Sequence, residues 1–374
     1  MSGLYIHIPF CQRRCHYCDF YSTTQESLQE AYVAAVCREM HARRQELTEP
    51  VETLYIGGGT PSQLSPALLA KIIDNTVETF GIASLRECTV EANPDDITPA
   101  WVAGVRTAAP DGKVRVSMGI QTFDDATLAL LGRRHTAAQA REAVQMLRDG
   151  GVDEISIDLM YGLPGEDDVR WADDLRQALA LQVPHLSAYC LSYEEGTVLW
   201  QWRQQGKVQE ADDEQCARHY HQLRHTLLEA GYEHYELSNF ALPGHRAQHN
   251  AAYWDGTPYL GLGPGAHSYD GATRSWNAPD LQTYLADPLH VRTTERLTAT
   301  DRYNEYLMTR LRTSKGISLD EVAQLFGDAR RDYCHQHVMP YIKSHRLQYA
   351  ADGRIVLSEE GLFVSDGIIA DLFA

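Results

Sequence analysis

Three thiols, Cys11, Cys15 and Cys18, stand in a C-x3-C-x2-C spacing inside CQRRCHYCDF, residues 11 to 20. Such a loop can wrap one face of an iron-sulfur cube, but it supplies one thiolate fewer than the four that close a ferredoxin-type site. One iron would be left open. Zinc is the competing reading, since His7 or His16 could complete a Cys3His set; structural zinc, however, usually draws ligand pairs from two separated knuckles, and no second C-x2-C occurs. The spacing, more than the number of cysteines, favours the cluster. A second feature is GGGTP, which begins at Gly57 and lacks the G-K-[ST] of a phosphate-binding P-loop. Clustered glycines are most often tight turns. They also let backbone amides and carbonyls approach a ligand closely, which suits a charged amino-acid moiety.

Both features follow short apolar runs, and the runs recur. LYIHIPF precedes the cysteines and TLYI the glycines; CTVEANPDD (88 to 96), VRVSMGIQTF (114 to 123), EISIDLMYGLP (154 to 164) and HLSAYCLS (185 to 192) complete a set of six, each followed by a helical period. Leu28, Tyr32, Val36 and Met40 mark a helix from about residue 25 to 46, with Arg38, Glu39, Arg43 and Arg44 expected as its solubilising charges. Ser65 with Pro66, and Thr98 with Pro99, have the types that open helices, and further helices are expected over about 168–181 and 212–230. Strand-helix alternation requires parallel crossovers and therefore an α/β fold. The polar residues then fall at or just past strand C-termini, where such folds place their sites: the cysteines, Gly57 to Thr60, Glu91, Gln121, Asp158 and Ser192. A doubly wound sheet would put G-x-G-x-x-G after the first strand, and a cysteine loop stands there instead.

The chain has 374 residues, 44% hydrophobic and 22% charged, which is the composition of a soluble globular protein. A net charge of −18 argues against non-specific nucleic-acid binding. No apolar run approaches the roughly 20 residues of a membrane span, and MSGLYIHIPF has no signal-peptide pattern, so a cytoplasmic location is expected. Cys37, Cys88, Cys190, Cys216 and Cys334 are scattered, as reduced thiols would be. Residues 232–269 show little helical period and many Gly and Pro, with five tyrosines and four histidines; the aromatics argue against disorder and for a functional loop. Helices return from residue 280, including 317–326 and 330–345, followed by a hairpin at Asp352 and Gly353 and a last helix. This order resembles a small winged-helix-like unit, read as a lid or partner surface. The expected division is 1–231, a loop-rich connector over 232–278, and a mostly helical 279–374.

The cysteine loop, followed by the aromatic Phe20, resembles that of the radical S-adenosylmethionine (SAM) superfamily. The resemblance implies a 4Fe-4S cluster whose open iron is chelated by SAM, reductive cleavage of SAM to a 5′-deoxyadenosyl radical, and a partial (β/α)6 barrel. YIHIPFC, CHYCDF, LYIGGGTPS, TVEANPDD, SMGIQTF, LGRRH, IDLMYGLPGE, YELSNFA and GLGPGAHSY narrow it to the branch holding oxygen-independent coproporphyrinogen III dehydrogenases and haem chaperones, over essentially the whole chain. By the family pattern Tyr5, Tyr17, Gly58, Gly59, Thr60, Glu91, Gln121, Arg133, Asp158 and Ser192 are expected around SAM, Arg133 suiting its carboxylate and Glu91 and Asp158 its ribose hydroxyls. Two dehydrogenase features are missing. Phe20 stands where a further cysteine would follow the third ligand, and the first cluster cysteine is already residue 11. HNAAYW, residues 249 to 254, resembles instead the H-N-x-x-Y-W signature of the haem-chaperone family, implying His249 as axial ligand to haem iron, with Asn250, Tyr253 and Trp254 around the porphyrin. By residue type alone His249 is a loop histidine. The resemblance thus implies a chaperone that binds cluster, SAM and haem, passes haem to acceptor haemoproteins and needs an electron donor. The alternative it implies is a dehydrogenase that decarboxylates two propionates of coproporphyrinogen III.

Overall fold

In the computed structural model, which describes residues 2–374, the six apolar runs are six strands. These are β1 (Ser2–Ile8), β2 (Val51–Gly58), β3 (Glu87–Ala92), β4 (Arg115–Gln121), β5 (Glu154–Tyr161) and β6 (His185–Cys190). They lie side by side in chain order, each pair parallel, as helical crossovers demand. The helices Gln29–Arg43, Pro66–Phe80, Pro99–Ala108, Ala137–Asp149 and Asp168–Ala180 return the chain after each strand in turn. Ser65 caps its helix by accepting from the Leu68 amide, with Pro66 in the first turn, and Thr98 does the same toward Trp101. β1 and β6 do not meet, so the parallel array is open.

Residues 232–278 are not a loop-rich connector. They supply β7 (Glu233–Glu236) and β8 (Asn239–Ala241) beside β6, a helix Gln248–Trp254, and then β9 (Tyr259–Leu262), β10 (His267–Tyr269) and β11 (Thr273–Asn277) beside β1. β12 (Arg292–Arg296) pairs with β11, so the sheet extends beyond the expected boundary at residue 279. The full order is β12-β11-β10-β9-β1-β2-β3-β4-β5-β6-β8-β7. Strands of three to five residues and a seven-residue helix are too short to show a period in sequence. Between the two edges the chain crosses the N-terminal ends of the parallel strands: Glu154 on β5 binds His245, Glu87 on β3 accepts from the Gln248 and His249 amides, and Thr53 on β2 meets His249.

The helix Gln29–Arg43 departs from expectation in its charges. Glu39 and Arg43 are buried, not solubilising. Glu39 accepts from Asn277 Nδ2, the Gly263 amide and the Tyr284 hydroxyl, while Arg43 donates to the Gly261 carbonyl and Ser268 Oγ, so the pair fastens β9 to β11 onto the helix. The C-terminal unit has a separate core that includes Leu307, Ile317, Val322, Val338 and Ile355. It is built from helices Ala299–Leu311, Leu319–Phe326 and Asp328–Lys343 and a hairpin of Leu347–Tyr349 with Ile355–Leu357. Among the described residues no helix is long and apolar enough to cross a membrane.

Candidate functional site

A cavity of about 460 Å³ opens at the C-terminal ends of the parallel strands. Cys11, Cys15 and Cys18 line it from the loop after β1. Burial raises the Cys11 thiol, and it pushes Cys18 up to about 11, so these thiols call for a strong neighbouring positive charge to become thiolates. Among the described residues no three His, Cys, Asp or Glu side chains converge closely enough to hold a single metal ion.

The glycine turn is built against this loop. Gly58 has a φ of +112°, and a Cβ there would lie 2.6 Å from the His7 ring; one on Gly59 would lie 2.9 Å from the carbonyls of Ile8 and Phe10 and 3.1 Å from Cys11 Sγ. Only glycine lets the two loops approach in this way. Thr60 Oγ1 then meets Cys11 Sγ at 3.3 Å.

Polar side chains from β3, β4 and β5 face the same space. Glu91 accepts from the Tyr55 hydroxyl at 2.6 Å and from the Gly58 amide at 3.0 Å. Burial pushes the Glu91 carboxyl up to about 7, helped by the neighbouring Asp158, and pushes Asp158 up to about 6 against the pull of Arg115 and Arg133. Arg133 donates to Asn93 Oδ1 at 2.7 Å and to the Gly119 carbonyl, while its buried Nε has no partner. A guanidinium held on one side and unsatisfied on another is suited to receive a carboxylate. Arg134, next in sequence, points away and pairs with Asp95 at 2.9 Å and Asp96 at 2.8 Å. Gln121 is held at a φ of +71°, a strained conformation of the sort that persists where the surroundings impose it.

Of the residues expected around SAM, Tyr17, Gly58, Gly59, Thr60, Glu91, Gln121, Arg133, Asp158 and Ser192 line this cavity together. Tyr5 does not. It lines a second, larger cavity and hydrogen-bonds His7 Nδ1 at 3.0 Å. Asn93 and Ser117 also line the first cavity and were not singled out in sequence. The signal for Asn93 was present, since it lies two residues beyond Glu91 and so on the same face.

The second cavity, about 950 Å³, lies between the β1 edge of the sheet and the C-terminal unit. Its sheet wall follows from register. His267 pairs with Trp276, Tyr269 with both Arg274 and Tyr259, and Tyr5 with Gly261, so one face of β1, β9, β10 and β11 carries rings and a guanidinium. The alternate residues Leu4, Leu260 and Ser268 are buried on the other face. Helix Ala299–Leu311 forms the facing wall with Arg302, Glu305 and Met308, and Phe20, 65% exposed, lines both cavities. Trp254 Nε1 and Asn277 Oδ1, both on residues lining the larger cavity, are buried without a partner.

The HNAAYW residues divide. Tyr253 and Trp254 line the larger cavity, and Asn250 does not. His249 is inside a helix, 1% exposed, with Nδ1 to Thr53 Oγ1 at 2.9 Å and Nε2 to the Tyr253 hydroxyl at 2.8 Å. Burial pushes its pKa down to about 3. In this arrangement both ring nitrogens are engaged, so the axial role expected of His249 would require the contact with the Tyr253 hydroxyl to open.

Residues 5–178 match the radical SAM superfamily and residues 297–366 the HemN C-terminal domain. The chain is 34% identical to a heme chaperone HemW of Mycobacterium tuberculosis, covering 99% of this chain and 94% of the relative. It is 32% identical to those of Bacillus subtilis (98% of each chain) and Lactococcus lactis (98% of this chain and 96% of the relative). In fold it is similar to the coproporphyrinogen III oxidase HemN of Escherichia coli, a radical SAM enzyme, with a TM-score of 0.84 at 21% identity over 100% of this chain and 90% of that one.

Proposed function

The chain belongs to the HemW family of radical SAM proteins, and from that premise we propose that it is a haem chaperone, binding a 4Fe-4S cluster, SAM and haem and handing the haem to acceptor haemoproteins. One observation carries the reading: two ligand-sized cavities share Phe20 as a wall, one ringed by the three loop thiols and the other aromatic with arginines at its border. Cys11, Cys15 and Cys18 would hold the cluster. When bound with SAM at its open iron, the cluster supplies one-electron reducing chemistry, for which an electron donor would be needed. Arg133, which lines the smaller cavity, would take the SAM carboxylate; Glu91 and Asp158 would accept from the ribose hydroxyls; the glycine turn would bring backbone close to the methionine end.

Haem is flat, largely apolar and carries two carboxylates, so its pocket needs aromatic walls, an axial donor and cationic anchors. The larger cavity is near the top of the roughly 300–1,000 Å³ range of small-molecule sites, which suits a macrocycle. The smaller cavity suits SAM.

The test is made on anaerobically reconstituted full-length protein. Haem added to it is expected to bind and then to move to an apo-haemoprotein, while coproporphyrinogen III with SAM and reductant is expected to yield no protoporphyrinogen. Robust decarboxylation of coproporphyrinogen III without haem binding reverses the reading in favour of the dehydrogenase.

A further inference from the structure

We infer that Cys190 and Cys216 are a reversible disulfide site at the edge of the smaller cavity, where a small hydroperoxide is reduced by Cys216 and Cys190 then closes the bond. The two cysteines stand on different elements. Cys190 ends β6, and Cys216 lies near the start of the helix Asp213–Glu229. The turn after β5 brings them together. Gly162 stands in that turn at a φ of +71°, and a Cβ on it would lie 3.0 Å from Cys216 Sγ and 3.4 Å from Cys190 Sγ. Both sulfurs therefore press toward one point that only a glycine leaves open, and they are in hydrogen-bond contact with each other. From that contact they have only to close to the roughly 2.05 Å of an S–S bond.

The two thiols differ in kind. Cys190 is exposed and lines the smaller cavity, whereas Cys216 beside it is only 7% exposed. The hydrogen bond from Cys190 holds the Cys216 thiol below its ordinary value, against burial, and the charge of His219 one turn further along the same helix adds to this. The same bond raises Cys190. His219 has Glu166 Oε2 at 3.3 Å from Nδ1 and Asp168 Oδ1 at 3.2 Å from Nε2; burial opposes its charge, but Glu166 and Asp168 raise it overall. Glu166 is fixed in turn by the Gly162 amide at 2.7 Å and the Leu163 amide at 3.2 Å. One turn thus seats both sulfurs and the carboxylate that charges the histidine. A thiolate favoured by a neighbouring histidinium, with a second thiol in contact, is the arrangement of a peroxide-reactive cysteine and its resolving partner. Cys37, Cys88 and Cys334 lie in three other elements, and burial raises each of them.

The chemistry balances with the peroxide as oxidant. The Cys216 thiolate attacks one peroxide oxygen, the O–O bond breaks, and the departing hydroxide takes a proton to leave as water. Cys216 is then a sulfenic acid. The Cys190 sulfur attacks the Cys216 sulfur, the S–O bond breaks, and the hydroxyl leaves as a second water with the Cys190 proton. The two sulfurs together lose the two electrons that the peroxide gains, and an external dithiol reverses the bond by exchange. The closed bond would fasten the end of β6, whose following residues Leu191 and Ser192 also line the cavity, to the helix Asp213–Glu229.

The experiment treats the anaerobically reconstituted full-length protein with one equivalent of hydrogen peroxide, blocks the remaining thiols by alkylation and maps the peptides by mass without reduction. A peptide pair joined through Cys190 and Cys216 is expected, and dithiothreitol is expected to separate it, while Cys37, Cys88 and Cys334 stay alkylated. With dimedone present, Cys190→Ser is expected to carry the sulfenic-acid adduct on Cys216, and Cys216→Ser to carry none on Cys190. Iron content of both variants checks that each is folded. Cys190 and Cys216 both fully alkylated in the treated wild-type protein, or either of them joined to a different cysteine instead, overturns the site. An adduct on Cys190 in Cys216→Ser overturns the assigned order of reaction. None of these outcomes bears on haem binding, so the chaperone reading stands or falls separately.

Discussion

Glu39 and Arg43, one turn apart on the helix Gln29–Arg43, form an ion pair at 2.8 Å with the carboxylate side chain 0% and the guanidinium side chain 6% exposed. Arg43 also pairs with Glu46 at 3.0 Å, and the other hydrogen bonds of the two go to Gly261, Gly263, Ser268, Asn277 and Tyr284, so a charge cluster inside the fold sets the position of the sheet edge that bears His267. Removing Glu39 leaves Arg43 paired with Glu46 but strands the Gly263 amide and the Tyr284 hydroxyl without their acceptor, each at a cost of about 1–3 kcal/mol. Glu39→Ala is therefore expected to lower the unfolding free energy measured by denaturant titration by that order, whereas Arg38→Ala on the same helix leaves it nearly unchanged. Equal effects of the two would remove Glu39 from this role.

The thiols of one loop line the smaller cavity, and the other cysteines do not share that wall except for Cys190. Anaerobic reconstitution is expected to yield about four iron and four sulfide per chain, and Cys11→Ala, Cys15→Ala or Cys18→Ala to abolish this. Cys37→Ala, Cys88→Ala, Cys216→Ala, Cys334→Ala and Cys190→Ala are expected to keep it. Zinc in place of iron after anaerobic purification would contradict the cluster assignment outright.

Arg133 and Arg134 are adjacent in sequence and opposed in place, one facing the cavity and the other spent on Asp95 and Asp96. In the reduced protein, SAM is expected to change the electron paramagnetic resonance spectrum of the cluster. Arg133→Ala should largely remove that change, and Arg134→Ala should preserve it while costing some thermal stability. Identical spectra for the two variants would show that the carboxylate is held elsewhere.

Glu91 gives a pH signature. Its carboxyl ordinarily titrates at 4.5 and is pushed up to about 7 by burial, so the folded chain holds this proton more tightly than the unfolded one. The sign follows by linkage: the folded state carries no penalty below about 4.5, the penalty grows as pH rises, and it is complete above about 7. Glu91→Gln also loses hydrogen bonding to Tyr55 or Gly58, a loss common to all pH values. The melting temperature of Glu91→Gln relative to wild type is thus expected to be higher at pH 8 than at pH 5. For SAM the direction is opposite, because an ionised carboxylate is the stronger acceptor for ribose hydroxyls: affinity should fall as pH drops through about 7 for Glu91 and about 6 for Asp158. A flat difference in melting temperature across that range counts against the raised carboxyl.

The cysteine loop, the glycine turn and the six parallel strands were legible in the amino-acid order because each is local. A C-x3-C-x2-C spacing needs only eight residues, glycines are required wherever two backbones nearly touch, and strands buried on both faces are written as apolar runs. Arg133 could be placed only through resemblance, since no strand in its own neighbourhood ties it to the strand ends where Glu91 and Asp158 stand. The tertiary structure alone decided the rest. Glu39 and Arg43 have a solvated helix face's composition and become buried because a distant sheet edge supplies their partners. Residues 232–278 have no visible period because their strands are short, and they become strands only when β1 and β6 offer open edges to pair with. His249 and His267 are alike in sequence, both histidines in an aromatic, glycine-rich stretch; which of them is buried and which is exposed depends on the strand that each one meets, Thr53 of β2 in one case and Trp276 of β11 in the other.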